Sequence, residues 1–451
     1  MKKTMVFVTV LLLLAFPVSV AFAGIGGPYT VGIQIANMSS SATANINMSF
    51  YDQSGAQVAS PSDTIPASGS KTYFPLSAVP AGFNGSLVVS SDQPVAAIAN
   101  VLTTDYVGGA AYSSFSSGAM TVTLPNINKN NYGLDTWFNV QNIGSADATV
   151  KVAYAPGSCT AQQVVKPNSS KTFDQSVDTC LANGFVGAAT VTSNQPIVAT
   201  AMQIQRTGKQ VIAYRGFTSA STTLVMPQVS SNVYKSGTGI QIQNTGGTAT
   251  NVTLTYTPST GYPGASCTET KTINAGASTT FGFPQLPSGC GTSGTGVSDS
   301  VNGGFIGSAK VTGNSANMPL VGIVNQITRG ATSGDAYQAI NPANATANVI
   351  LPNINDRNYG LFTGIAVANV GSQQTHIRCT FSNSTYVVEA DVAPGASLTD
   401  VQLNKIANGY VGSATCTATG GDTKIAGIGQ QVKSGAVSTS DALFVYDGFN
   451  Y

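Results

Sequence analysis

The chain has 451 residues, only 8% of them charged and 42% hydrophobic, with 49 glycines and six cysteines. Its 19 Lys and Arg nearly balance 18 Asp and Glu, so a polyanion such as nucleic acid is excluded as a partner. The hydrophobic fraction is too high for a disordered chain, and the polar neutral residues suit an exported β-protein.

The first 23 residues read as a secretory signal. Lys2 and Lys3 open it, Met5 to Ala15 form an apolar core too short for a membrane span, and Ala21-Phe22-Ala23 is a cleavage site. No later apolar run is long enough to cross a bilayer as a helix.

Beyond Gly24 the chain repeats itself four times, over residues 24–118, 119–222, 223–347 and 348–451. Each repeat, of about 100 residues, is long enough to bury its own core. Leu124-Pro125, Met226-Pro227 and Leu351-Pro352 open three of them, and the third is lengthened by insertions at Pro258–Ser266 and Gly289–Asn302. Apolar residues then alternate with polar ones, as in Ile33/Ile35, Phe138/Val140, Ile240/Ile242 and Ile365/Val367. Each run ends at an asparagine (Asn37, Asn142, Asn244, Asn369) before a turn. A second alternating run follows, Val150/Val152/Tyr154 in the second repeat, and the pair predicts a β-hairpin. Downstream, Gly82-Phe83-Asn84-Gly85, Gly184-Phe185-Val186-Gly187, Gly304-Phe305-Ile306-Gly307 and Gly409-Tyr410-Val411-Gly412 each open another strand. Pro94, Pro196 and Pro319 each mark the start of one more. Seven or eight short strands per repeat and no helix predict an all-β protein: four tandem immunoglobulin-like antiparallel β-sandwiches after a signal peptide.

All six cysteines fall in the last three repeats, two in each. Their spacing predicts Cys159–Cys180, Cys267–Cys290 and Cys379–Cys416, the last replacing two inward apolar residues as a bridge through the core. Zinc is disfavoured, because C-x-x-C is absent and His376 is the only histidine.

The segments Val140-Gln141-Asn142-Ile143-Gly144 and Val150-Lys151-Val152-Ala153-Tyr154 resemble bacterial extracellular Ig-like repeats, including the adhesion-related CARDB type. The wider repeat resembles uncharacterised surface repeat proteins of filamentous bacteria. The resemblance implies a scaffold fold and a surface location, and supplies no catalytic residue.

Reactive chemistry is scarce. His376 has no equivalent in the other repeats, and the carboxylates of Asp174 and Asp178 read as part of a solvated strand and loop. No enzyme is expected, and no cofactor. Two features could meet a ligand. The loop Pro125–Gly133, with Tyr132, nearly repeats as Pro352–Gly360, with Tyr359. Its oxygen donors Asn128, Asn131, Asp135, Asn355 and Asp356 suit either calcium or tight turns. Trp137, the only tryptophan, has outward parity and faces Gly32, Gly239 and Gly364 in the alignment of repeats. It is covered by its own loop near Tyr132, or contacts another repeat or protein, or stacks on a glycan.

The chain thus reads as a secreted, non-enzymatic cell-surface protein with a structural or adhesive role. The alternative is a carbohydrate-binding protein using outer-face aromatics such as Trp137. The expected partner is an extracellular protein, a glycan or a second copy. The first repeat lacks the extended segment that opens the others (Thr121–Leu124, Thr223–Met226, Asn348–Leu351), so its edge is either covered by Gly24–Tyr29 or a local loop, or left open for self-association or partner docking.

Overall fold

The structure is a computed structural model that describes residues 12–16, 29–104, 107–206, 210–233, 236–262, 264–283, 286–287, 290, 304–328, 333–433, 441 and 443–451. The expected cleavage site and most of the insertion at Gly289–Asn302 lie outside these residues. The protein is all-β, built of antiparallel sheets, and among the described residues the one helical element is a 3₁₀ turn at Pro342–Asn344.

The strands fall into four successive sets. The first makes a five-stranded and a four-stranded sheet; the later ones make sheets of seven, eight and nine strands. In the first set the layers are separate: Ala44–Asp52 pairs with Gly85–Ser91, and Tyr29–Asn37 pairs with Val95–Thr103. Ile33, Ile35, Met48, Phe50, Leu87 and Val89 are buried in one core between them. In the second set the two layers share a strand. Phe185–Gln205 runs unbroken for 21 residues, so Pro196 does not start a new strand. Its first half pairs with Ala148–Ala155, and its second half with Leu134–Asn142.

The predicted hairpin is corrected. Leu134–Asn142 and Ala148–Ala155 do not pair with each other but lie in opposite layers, as do Tyr29–Asn37 and Ala44–Asp52. Alternation records which face of a strand is buried, and two strands facing each other across a core alternate just as two neighbours do. The asparagines at the ends of the first runs make the corner. Asn142, fully buried, donates Nδ2 to the carbonyls of Ala146 and Val165 at 2.8 and 3.0 Å and accepts from Gly144 N at 2.8 Å. Asn37, Asn244 and Asn369 make the same three kinds of bond. A side-chain amide supplies the donors and acceptor that three backbone groups at the corner, one of them fully buried, would otherwise lack.

The Gly-Phe-x-Gly stretches are explained by close approach. A Cβ on Gly187 would collide with the carbonyl oxygen of Ala155, and one on Gly85 with that of Tyr51. Glycine lets these neighbouring strands meet at full length.

The three disulfides have the expected pairing, with Cα separations of 5.6, 5.4 and 3.9 Å. Cys379 and Cys416 are directly opposed on adjacent strands of one sheet and face its core. The bridge therefore staples two neighbours within a layer and does not span from layer to layer.

The first-set edge is covered in the full chain, but by a segment other than Gly24–Tyr29 or a local loop. Leu12–Phe16 pairs antiparallel with Gly85–Ser91, placing Leu12 opposite Val89 and Leu14 opposite Leu87. The opening strands of later sets have the same register: Val122 opposite Val191 and Leu124 opposite Ala189, then Val349 opposite Cys416 and Leu351 opposite Ala414. The segment read as the apolar core of a signal thus occupies the place of a missing first strand.

Candidate functional site

The four sets close into a ring by lending side chains to one another. The core of the first takes in Trp137, Met202, Ile204 and Val211 from the second; the core of the second takes in Ile323 and Ala336 from the third. The third core includes Ile428, Leu443 and Val445 of the fourth, and the fourth includes Ile98 and Ala111 of the first. At the middle lie the four closing strands, Gly109–Ser113, Val211–Arg215, Gly334–Gln338 and Leu443–Asp447, each with an unpaired edge.

Asp335 satisfies that convergence. Its carboxylate accepts from the backbone N–H of Ala111 at 2.8 Å, Ala213 at 2.9 Å and Val445 at 2.6 Å, one donor from each of the other sets. Asp441 accepts from Val211 N and Gly334 N. Asp447 accepts from Gln338 N at 3.0 Å and from the Arg215 guanidinium at 3.3 Å. Burial raises Asp335 and Asp441 well above the ordinary carboxylate value, and the backbone N–H donors oppose this only in part. Asp447 is raised by burial too, with Arg215 pulling the other way. The sequence reading missed this hub. Its one signal was Asp335 two residues before Tyr337, where Ala110, Ile212 and Phe444 precede Tyr112, Tyr214 and Tyr446.

Trp137 is at a junction within this ring. It packs on Tyr29 of the first set with ring centroids 6.2 Å apart, and only 8% of it is exposed. Of the readings left open, contact with another repeat holds. Its own loop does not cover it, since Tyr132 points to solvent, and the indole has no free face for a sugar. Trp137→Ala is expected to cost about 3–5 kcal/mol, read as a shifted urea midpoint by circular dichroism.

The Pro125–Gly133 loop is corrected as well. Its first half continues the strand Ala119–Lys129, and only a tight turn remains before Leu134–Asn142. Asn131 and Leu134 exchange both backbone bonds, at 3.0 and 2.9 Å, which makes Tyr132-Gly133 a two-residue hairpin loop. Both residues have positive φ, 49° and 80°. Tyr359-Gly360 repeats this with φ of 49° and 79°. Such loops favour Asn-Gly, and a bulky residue at positive φ is strained. Tyr132 and Tyr359 are nonetheless 92% and 91% exposed.

Of the oxygen atoms proposed for calcium, those of Asn128, Asp135, Asn355 and Asp356 accept from protein donors. Asn126, Asn128 and Asn131 form an amide ladder at 3.0 Å steps, repeated by Asn353, Asn355 and Asn358. Asp135 is held by Arg206 and by Asn130 N. Asp356 is desolvated, yet Arg357 and the N–H groups of Ile406 and Asn404 outweigh that and hold it below the usual carboxylate range. Guanidinium and amide groups thus stand where a cation would have to sit.

The remaining candidates stay apart. His376 is at the surface, 2.8 Å from Asp391 and beside Glu389. Asp174 and Asp178 cap separate turns at Ser176 and Cys180. Cys159, Asp178 and Cys180 cluster closely enough for a metal, but both sulfurs are committed to their disulfide.

No known protein family matches the sequence, and no curated protein does. Among solved structures, Thermotoga maritima 1070 is similar at 14% identity over 22% of this chain and 94% of its own, with a TM-score of 0.20. The major pilin of Streptococcus pyogenes is similar at 10% identity over 74% of this chain and 99% of its own, with a TM-score of 0.12. Neither likeness bears on function. No helix among the described residues is long and apolar enough to cross a membrane.

Proposed function

We propose that this chain is a secreted, non-enzymatic cell-surface protein of four immunoglobulin-like domains, related to CARDB-type repeats, that acts as a rigid structural or adhesive unit. The observation that carries this reading is the cyclic sharing of cores around Asp335. It makes one stiff body out of modules that a linear array would leave hinged. The disulfides fit an oxidising exterior.

The partner, an extracellular protein or glycan, meets Tyr132 and Tyr359. A large aromatic kept at a strained, exposed position where asparagine would suit the turn better points to selection for contact.

The test replaces both tyrosines by asparagine in the native host. Turn strain is relieved, so stability should rise by about 0.5–1 kcal/mol. Surface immunolabelling should be unchanged, while attachment to host surfaces or neighbouring cells should fall. An intracellular location overturns the surface assignment, and undiminished attachment overturns the role of the tyrosines.

A further inference from the structure

Between the third and fourth strand sets is a cavity of about 690 Å³, a size that takes small organic ligands. One wall carries Phe362, Gly364, Val432 and Leu443; the other includes Gln228 and Gln326. Register explains why the space is open. Gly364 stands opposite Gln430 as Trp137 stands opposite Met202, and Val432 pairs with Leu443 as Ile204 pairs with Val211. The junction of the first and second sets is filled by an indole; the matched position here has no side chain. Crowding does not demand this glycine, because a Cβ on it would meet ordinary contacts at 3.7 Å from the Asp400 carbonyl oxygen and 3.8 Å from Val401 Cγ2.

Gln326 supplies an independent observation. It lines the cavity, is only 2% exposed, and accepts at Oε1 from Gln430 Nε2. Its own Nε2 has no hydrogen-bond partner among the described residues. A buried amide donor left without an acceptor is costly, and one that lines a cavity can be satisfied by a molecule bound there.

We propose that this cavity binds a small planar aromatic molecule whose hydrogen-bond acceptor takes the free N–H of Gln326. The flat indole at the matched junction defines the shape, and Phe362, Val432 and Leu443 supply the apolar contact. The orphaned amide sets the orientation. A neutral heteroaromatic with a ring nitrogen satisfies both requirements.

Quinoline titrated into the full chain, followed by thermal shift and by ligand-observed NMR, tests this. Saturable binding with a rising Tm is expected. Gly364→Trp should abolish binding and raise the Tm of the free protein. Val401→Phe, a change at a half-exposed position beside the same space, gives a second blocked form should the tryptophan disturb folding. Gln326→Leu should weaken quinoline about tenfold. Absence of saturable binding to the wild type overturns the proposal. So does equal binding to the wild type and the blocked variants, or saturation by glucose but not by quinoline.

Discussion

Replacing Asp335 by leucine is expected to lower the free energy of unfolding by about 3–6 kcal/mol, the largest effect of any single substitution outside the apolar cores. The reason is geometric. Three backbone N–H groups, from Ala111, Ala213 and Val445, converge on one carboxylate. Leucine has the size to fill the space but no oxygen, so three buried donors lose their acceptor at once. Asp335→Asn keeps one acceptor oxygen and should cost much less. Urea unfolding of the three proteins measures this. The loss should appear as earlier separation of the strand sets, because the bonds run between sets and not within one. A leucine variant as stable as the wild type would show that the hub contributes nothing.

The effect should also depend on pH. Burial raises Asp335 and Asp441 above their unfolded values. Folded protein then holds protons that the unfolded chain releases. Their contribution to stability is complete below the ordinary carboxylate pKa and declines as pH rises through the raised values. The gap between the wild type and Asp335→Leu should therefore narrow from acid to neutral pH.

A chain lacking residues 1–23 should show fast amide exchange along Gly85–Ser91, where the full chain is protected. In the full chain Leu12–Phe16 covers that edge over five residue pairs. Losing the ladder should cost roughly 2–5 kcal/mol at about 1 kcal/mol per backbone bond. Leu87 and Val89 on that edge strand belong to the core. An open edge beside an apolar face accepts a strand from another molecule. The shortened protein should therefore self-associate with rising concentration in sedimentation, whereas the full chain should stay monomeric. Equal exchange at Gly85–Ser91 in the long and short forms would show that another segment closes the edge.

Much of the fold was legible in the sequence because the signals are local. Period-two runs such as Val150/Val152/Tyr154 report a strand with one buried face, since successive side chains point to opposite sides whatever the partner. The disulfides were legible because paired cysteines fall at matched places in an otherwise repetitive chain. The Gly-Phe-x-Gly stretches marked where a strand opens, but the close approach that requires their glycines showed only once the neighbouring strand was in place.

What the sequence could not show were the choices made between distant segments. Asn142 looked like the start of a hairpin turn, but it staples a corner between layers; which strand becomes a neighbour depends on packing across the whole core, not on the run itself. Trp137 had outward parity, and parity stops at the edge of one repeat: Tyr29 of the preceding set, more than a hundred residues away in the chain, decides that the indole is buried. Asp335 was one carboxylate among many, and only the meeting of four sheet edges makes it an acceptor for three of them. Leu12–Phe16 had the composition of an export signal, while its register against Gly85–Ser91 is a matter of an unfilled edge elsewhere in the fold. In each case the deciding energy is backbone hydrogen bonding and apolar burial between surfaces that exist only after the individual sheets have formed.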